Sequence, residues 1–365
     1  MLETYALLAE RALRDEPPSQ EQARRILDGE GYELLPLLHA AYLPRERHFG
    51  RKVMVHVLNN VQSGHCSEDC GYCSQSRDSQ AAVREYPMKS DEEIFAEAEK
   101  AARAGASRYC MALAGRGPSL ARTHKLAGLI RGLKRRYPIE VCLSVGILDE
   151  ERVRILSDAG LDRLNHNLNT SESHYQEICS THDYTDRLAT LAAAKRHGLE
   201  PCSGLILGMG ESSADAVEVA FALRELEVPS IPVNFLIPIE GNPVVADGSL
   251  TPERCLRALA MMRLVNPRAE VRVAGGREGH LRALQALALW PANSLFVEGY
   301  LTTRGDAVRD TYRMIREAGF ELEGNALGCG EEIGESGAEE AAGGGGFRLA
   351  GDDDGLLKPE MAREE

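Results

Sequence analysis

The chain has 365 residues, 43% of them hydrophobic and 5% aromatic, which supplies a large aliphatic core and excludes general disorder. Its formal net charge of −14 excludes non-specific adhesion to nucleic acid or to an anionic membrane. Residues 331–365 carry 11 acidic and 3 basic side chains, a local −8 that leaves −6 for the rest.

In chain order, the first fifty residues read as helices. Leu7, Leu8, Ala12 and Leu13 form a stripe that Pro17 and Pro18 end, and amphipathic runs follow over 20–27 and 32–47. The opening MLETYALLAERALRDEPP has an acid at its third residue and reads as neither signal nor transit peptide. No run of 18 apolar residues occurs, so the expected compartment is the cytoplasm. From residue 51, short apolar runs alternate with longer amphipathic ones. Strands are expected at 52–58, 108–113, 140–145, 163–168, 201–207, 231–237, 270–274 and 294–297. Helices are expected at 91–104, 120–136, 150–159, 186–196, 214–226, 252–265, 277–288 and 306–318. Ser90 with Glu93 makes a capping box for the first of these. Eight βα units with one composition regime predict an α/β fold, a closed (β/α)8 TIM-type barrel over 51–322. An N-terminal helical segment over 1–50 precedes it, and a Gly- and acid-rich tail over 323–365 is expected to be disordered.

Nine cysteines without a secretory signal point to metal or redox chemistry rather than to disulfides. Cys66, Cys70 and Cys73 stand in C-x3-C-x2-C spacing in the loop after the first strand, the end of a barrel where active sites sit. Three thiolates on one loop can hold three irons of a cubane cluster and leave the fourth open to the amino and carboxylate groups of S-adenosylmethionine. A zinc site would want four ligands; His65 could be one, but no second C-x2-C knuckle exists. The spacing resembles that of the radical S-adenosylmethionine superfamily. Gly204-x-Ile206-x-Gly208-x-x-Glu211, at the end of the fifth strand, resembles the adenine cradle of that superfamily, although glycines in a tight turn before a helix give the same pattern.

Cys110, Cys142 and Cys202 each lie in a predicted strand, the second, third and fifth. Alternation lets all three point into the barrel. Any one of them alone would read as a packing residue, but three on separate strands below the triad suggest a second metal site. Arg277 follows the seventh strand.

The run of motifs CSEDCGYCSQS, RYCMAL, EVCLSVG, LDRLNHNLNTS, SGLILGMGE, PVNFLIPIEGNP, VRVAGGRE and ANSLFVEGYLTT, over residues 20–320, resembles the biotin synthase family. The resemblance implies insertion of sulfur into dethiobiotin, a 4Fe–4S cluster on Cys66, Cys70 and Cys73, and S-adenosylmethionine as cofactor. It further implies an inner 2Fe–2S cluster, the sulfur donor, on Cys110, Cys142, Cys202 and Arg277. Cofactor contacts carry over to Tyr72, Asn167, Asn169, Arg187 and Ile206, and substrate contacts to Asn165, Asn234, Thr302 and Thr303. A flavodoxin or ferredoxin electron donor and a homodimer are further implications. The amides suit a cyclic urea and a ribose diol, which need both donors and acceptors, and Arg187 suits a carboxylate. Asn169 stands where some family members carry Asp, and ALAGRGPS after Cys110 lacks the aromatic expected near the methionine. Cys179, Cys255 and Cys329 match no ligand position and read as packing or bystander thiols. Two alternatives to this function are another radical enzyme on the same barrel and a non-catalytic iron–sulfur sensor; the latter lacks a visible nucleic-acid-binding module.

Overall fold

The computed structural model describes residues 2–323 and 348–349. Three helices come first: α1 (Leu2–Leu13), α2 (Gln20–Asp28) and α3 (Leu34–Phe49). Ser19 and Gln22 close a capping box at the start of α2, and Gly29 ends it in the left-handed conformation. α2 and α3 pack on the helix Pro252–Val265, and every residue of that helix from Cys255 to Val265 is buried. Arg257 on it donates to the Tyr32 carbonyl at 2.7 Å, so the N-terminal helices roof one flank of the barrel.

The barrel strands are β1 (Lys52–Gln62), β2 (Arg108–Leu113), β3 (Glu140–Ser144), β4 (Arg163–Asn165), β5 (Glu200–Cys202), β6 (Leu205–Leu207), β7 (Ser230–Phe235), β8 (Glu270–Val273) and β9 (Ser294–Val297). All pair in parallel in chain order, and β9 returns to β1 to close the ring. β5 and β6 are two pieces of the fifth stave, so the eight expected strands are present with one divided. The break falls at Ser203 and Gly204, where a Cβ on Gly204 would sit 1.9 Å from the Pro232 carbonyl oxygen. Only glycine lets the two staves approach so closely. Three short strands lie outside the ring: β10 (Thr303–Arg304), β11 (Glu321–Glu323), which extends β1 in parallel, and β12 (Arg348–Leu349), antiparallel to β10. The rest of the tail expected to be disordered lies outside the described residues.

Two expectations are corrected in detail. The helix expected at 277–288 is a five-residue helix, Arg277–Leu281, followed by a 3-10 segment, Arg282–Leu289. The chain breaks where Arg282 takes φ 50°. The fourth strand stops at Asn165, and the polar run after it turns into the mouth. Among the described residues, no helix is long and apolar enough to cross a membrane.

The interior is unusual in its lowest layer. Instead of aliphatic side chains it holds His56, Arg108, Glu270, Arg272 and Ser294, all buried. The Glu270 carboxylate accepts from both terminal nitrogens of Arg108 at 3.2 and 3.0 Å, from Arg272 at 2.5 Å and from Ser294 at 2.8 Å. It also faces His56 Nε2 at 3.0 Å.

Candidate active site and metal-binding side chains

Above the charged layer, β2 and β3 place Cys110 and Cys142 directly opposite each other, and the end of β5 brings in Cys202. The three thiols form one buried cluster with Ala274, Phe296, Leu58 and Tyr300. Cys142 holds the Cys110 thiol below its usual range, whereas Cys142 and Cys202 are pushed up by the neighbouring thiol and by burial. Asn165 donates to Cys202 Sγ at 3.4 Å.

The arginine at these thiols is Arg272, not Arg277. Arg272 Nη1 lies 3.6 Å from Cys202 Sγ, while Nη2 is held by Glu270 and by Ser230 Oγ at 2.8 Å. Its Nε is buried and has no hydrogen-bond partner among the described residues. Arg277 begins the helix beyond the Gly275–Gly276 turn and donates to Gln285 and to Glu278. It does not reach the cavity. The alternation in Glu270-Val271-Arg272-Val273 was the available signal: two ionic side chains share one face of a wholly buried strand.

The triad loop covers the same cavity, of about 290 Å³, which Cys66, Cys70 and Cys73 line together with Cys110 and Cys142. Backbone bonds pin the loop: Gly71 N–H donates to the Ile178 carbonyl at 2.8 Å and Val244 N–H to the Gly71 carbonyl at 3.0 Å. A Cβ on Gly71 would meet Val244 Cγ2 at 2.8 Å. Burial pushes the Cys66 thiol up and the Cys73 thiol up to about 11, a cost that bound metal would reverse by displacing the protons.

Between the two thiol sets lie the polar side chains. Tyr72, Asn165, Asn167, Asn169, Ile206 and Arg187 all line the cavity, as do Asn234, Thr302 and Thr303. Asn169, at φ 71°, donates to Tyr72 Oη at 2.6 Å. Arg187 is buried rather than on a solvated helix face. It donates to Tyr175 Oη, to the Asn167 carbonyl at 2.8 Å and to His182 Nε2 at 2.8 Å, so it braces the Asn167 segment from behind. Asn234 spends one N–H on the Leu205 carbonyl at 3.1 Å and one lone pair on Gly275 N–H at 3.0 Å, which leaves one donor and one acceptor for a ligand. Thr302 Oγ1 is 3.1 Å from Ser74 Oγ. Glu211 folds back onto its own turn, accepting from Gly208 and Met209 N–H, each at 2.8 Å. Two buried lining atoms, Asn60 Oδ1 and His166 Nε2, have no partner among the described residues; both are aimed for a polar ligand.

Cys179 was also underrated. It lies 3.8 Å from Cys70, sulfur to sulfur, beside His182 and Glu68. Residues 109 positions apart carry no joint signal in sequence.

The sequence matches the Radical SAM superfamily profile over residues 61–223 and that of the Biotin and Thiamin Synthesis associated domain over 232–321. A biotin synthase from Acaryochloris marina is 53% identical over 319 residues, covering 87% of this chain and 92% of that one. One from Magnetococcus marinus is 53% identical over 316 residues, covering 87% and 98%. In fold, the chain is similar to methylornithine synthase (TM-score 0.76, 17% identity, 86% of this chain and 97% of that chain). It is also similar to an FeFe-hydrogenase maturase from Carboxydothermus hydrogenoformans (TM-score 0.73, 16% identity, 88% and 79%). With the two thiol sets facing one cavity and identity above one half across most of its length, the chain belongs to the biotin synthase family of radical S-adenosylmethionine enzymes.

Proposed function

We propose that this chain forms biotin by inserting sulfur into dethiobiotin, with Cys66, Cys70 and Cys73 holding a 4Fe–4S cluster and Cys110, Cys142 and Cys202 holding a 2Fe–2S cluster beside Arg272. The observation that carries the proposal is a single cavity lined by the triad thiols and by Cys110 and Cys142, with Cys202 clustered on those two beside the Arg272 guanidinium. The donor sets fit: three thiolates would leave one iron of a cubane open for S-adenosylmethionine, and Arg272, on giving up a proton, would supply a nitrogen as fourth inner ligand. When bound, the clusters and S-adenosylmethionine supply a low-potential electron, a hydrogen-abstracting radical and sulfide.

The protein's own residues do the rest. The Tyr72–Asn169 bond and the Arg187 brace fix the cofactor-binding wall, with Asn167 and Ile206 on it. Asn165, Asn234, Thr302 and Thr303 supply donors and acceptors for the substrate. The packed barrel wall excludes water, which keeps a reactive radical near its target. The electron donor would be a flavodoxin or ferredoxin and the working form a cytoplasmic homodimer.

The test is iron and sulfide analysis of anaerobically reconstituted full-length protein, with product assayed by mass. The Cys110/Cys142/Cys202 triple alanine should lose about two irons and two sulfides per chain, the content of a 2Fe–2S cluster, keep S-adenosylmethionine cleavage, and make no biotin. Biotin formation by that variant would refute the donor role.

A further inference from the structure

Cys179 is outside both thiol sets, yet a main-chain bond and the Asp69 carboxylate hold its loop against that of Cys70. Gly71 N–H donates to the Ile178 carbonyl at 2.8 Å. On the other side of the pair, Asp69 Oδ1 accepts from Ser180 N–H at 3.0 Å and from Thr181 N–H at 3.2 Å. Residues 69–71 thus lie against 178–181. The sulfurs already stand 3.8 Å apart.

The Cys179 thiol donates to Asp69 Oδ1 at 3.2 Å and faces the His182 ring. His182 Nε2 faces Arg187 Nη2 at 2.8 Å, and a guanidinium only donates, so Nε2 is the acceptor and Nδ1 carries the proton. Nδ1–H points at Cys179 Sγ, 3.3 Å away, and at Glu68. Thr181 Oγ1 lies 3.6 Å from the same sulfur. A protonated Nδ1 is a poor metal ligand and a good donor to a thiolate.

We propose that Cys70 and Cys179 form a reversible disulfide when the mouth loop is without its cluster, which withdraws Cys70 from the triad until the bond is reduced. The oxidant is a hydroperoxide. The Cys179 thiolate displaces hydroxide from hydrogen peroxide and becomes a sulfenic acid. The Cys70 sulfur then attacks that sulfur, the S–S bond forms, and the S–OH bond leaves as water after taking up the Cys70 proton. A dithiol reductant returns two electrons and two protons. Cys66 and Cys73 alone cannot hold the cubane, so the oxidised loop does not load iron but loses no thiol to irreversible oxidation.

The proposal rests on Cys70 being a cluster ligand, but its chemistry is read without the cluster. Full-length protein, stripped of iron anaerobically and reduced, is treated with one equivalent of hydrogen peroxide, alkylated and digested with trypsin without reductant. The expected product joins peptide 53–77 to peptide 164–187 and is lighter than their sum by two hydrogens. It should persist in Cys66→Ala and Cys73→Ala and vanish in Cys70→Ala and Cys179→Ala. After peroxide, iron uptake at the mouth should fall to that of Cys70→Ala and recover with dithiothreitol, whereas Cys179→Ala should load iron less well after peroxide without recovery. A bond within peptide 53–77, Cys179 found only as sulfinate, or full recovery of the Cys179→Ala variant would each overturn the proposal. Correct cross-linking with unchanged iron uptake would refute the protective role, and would also separate it from the cluster assignment.

Discussion

Glu270→Gln is the sharpest test of the charged layer under the inner thiols. The carboxylate is buried and is the shared partner of Arg108 and Arg272, with contacts of 3.0 and 2.5 Å. Glutamine keeps the shape but removes the only negative charge common to both cations and turns an NH2 toward a guanidinium. Breaking a buried ion pair by removing one partner costs about 3–5 kcal/mol. Over roughly 320 ordered residues at about 2.1 cal/mol/K each, the unfolding entropy is about 0.7 kcal/mol/K, so a loss of about 4 kcal/mol lowers Tm by about 6 °C. The two arginines are not left equal. Arg108 retains a carboxylate, Glu140 at 2.8 Å, whereas Arg272 retains Ser230 Oγ, the Cys202 sulfur and the Phe296 ring, none of them a carboxylate. Arg272 should therefore lose its orientation, and inner iron content should fall while iron at the mouth persists. Calorimetry of the cluster-free chain and iron analysis of the reconstituted one measure both effects. A Tm within about 1 °C of wild type, corresponding to less than about 0.7 kcal/mol on the same scale, would refute the reasoning.

Arg272→Met should lower inner iron content and slow biotin formation, and Arg277→Met should leave inner iron at the wild-type level; equal losses would restore Arg277 as a ligand. Cys70→Ala should abolish S-adenosylmethionine cleavage with the barrel still folded by circular dichroism, since the triad sits on a mouth loop, and retained 5′-deoxyadenosine would contradict the triad assignment. His56 gives a pH signature. Burial, then the nearby Arg272 and Arg108, lower it to about 3, so it stays neutral in the fold while the unfolded chain takes up a proton near 6.5. Stability is therefore intact above 6.5 and falls as pH drops toward 3, by about 1.4 kcal/mol per unit for this one group. Between pH 6.5 and 5.5, denaturant melts of wild type should lose about 1 kcal/mol more than His56→Gln; parallel losses would place the effect elsewhere.

Strand positions were legible because apolar runs in a parallel barrel are nearly continuous, and β2, β7 and β9 fall within a residue or two of expectation. The division of the fifth stave was not, because it comes from the approach of Pro232 to Gly204, a contact between different strands. Cys110, Cys142 and Cys202 converge as strand parity required. The arginine failed for a different reason: motif likeness favoured Arg277 after the glycine pair, whereas alternation within β8 favours Arg272. The Cys70–Cys179 pair is tertiary throughout. It is held by a main-chain bond from Gly71 to Ile178 and by the Asp69 carboxylate on Ser180 N–H, which no local pattern encodes.

The divided fifth stave acts as a ruler. It carries Cys202 in the buried thiol cluster and Ile206 on the cavity wall, four residues apart. At about 3.3 Å per extended residue and a stave tilt near 36°, those two levels stand roughly 11 Å apart along the barrel axis. That spacing is written in the backbone, so side-chain substitutions alter the grip on a molecule held between the levels but not the length it must have. Only a change in the number of residues across the break would rescale it, and a single insertion would also turn one of the two side chains out of the barrel.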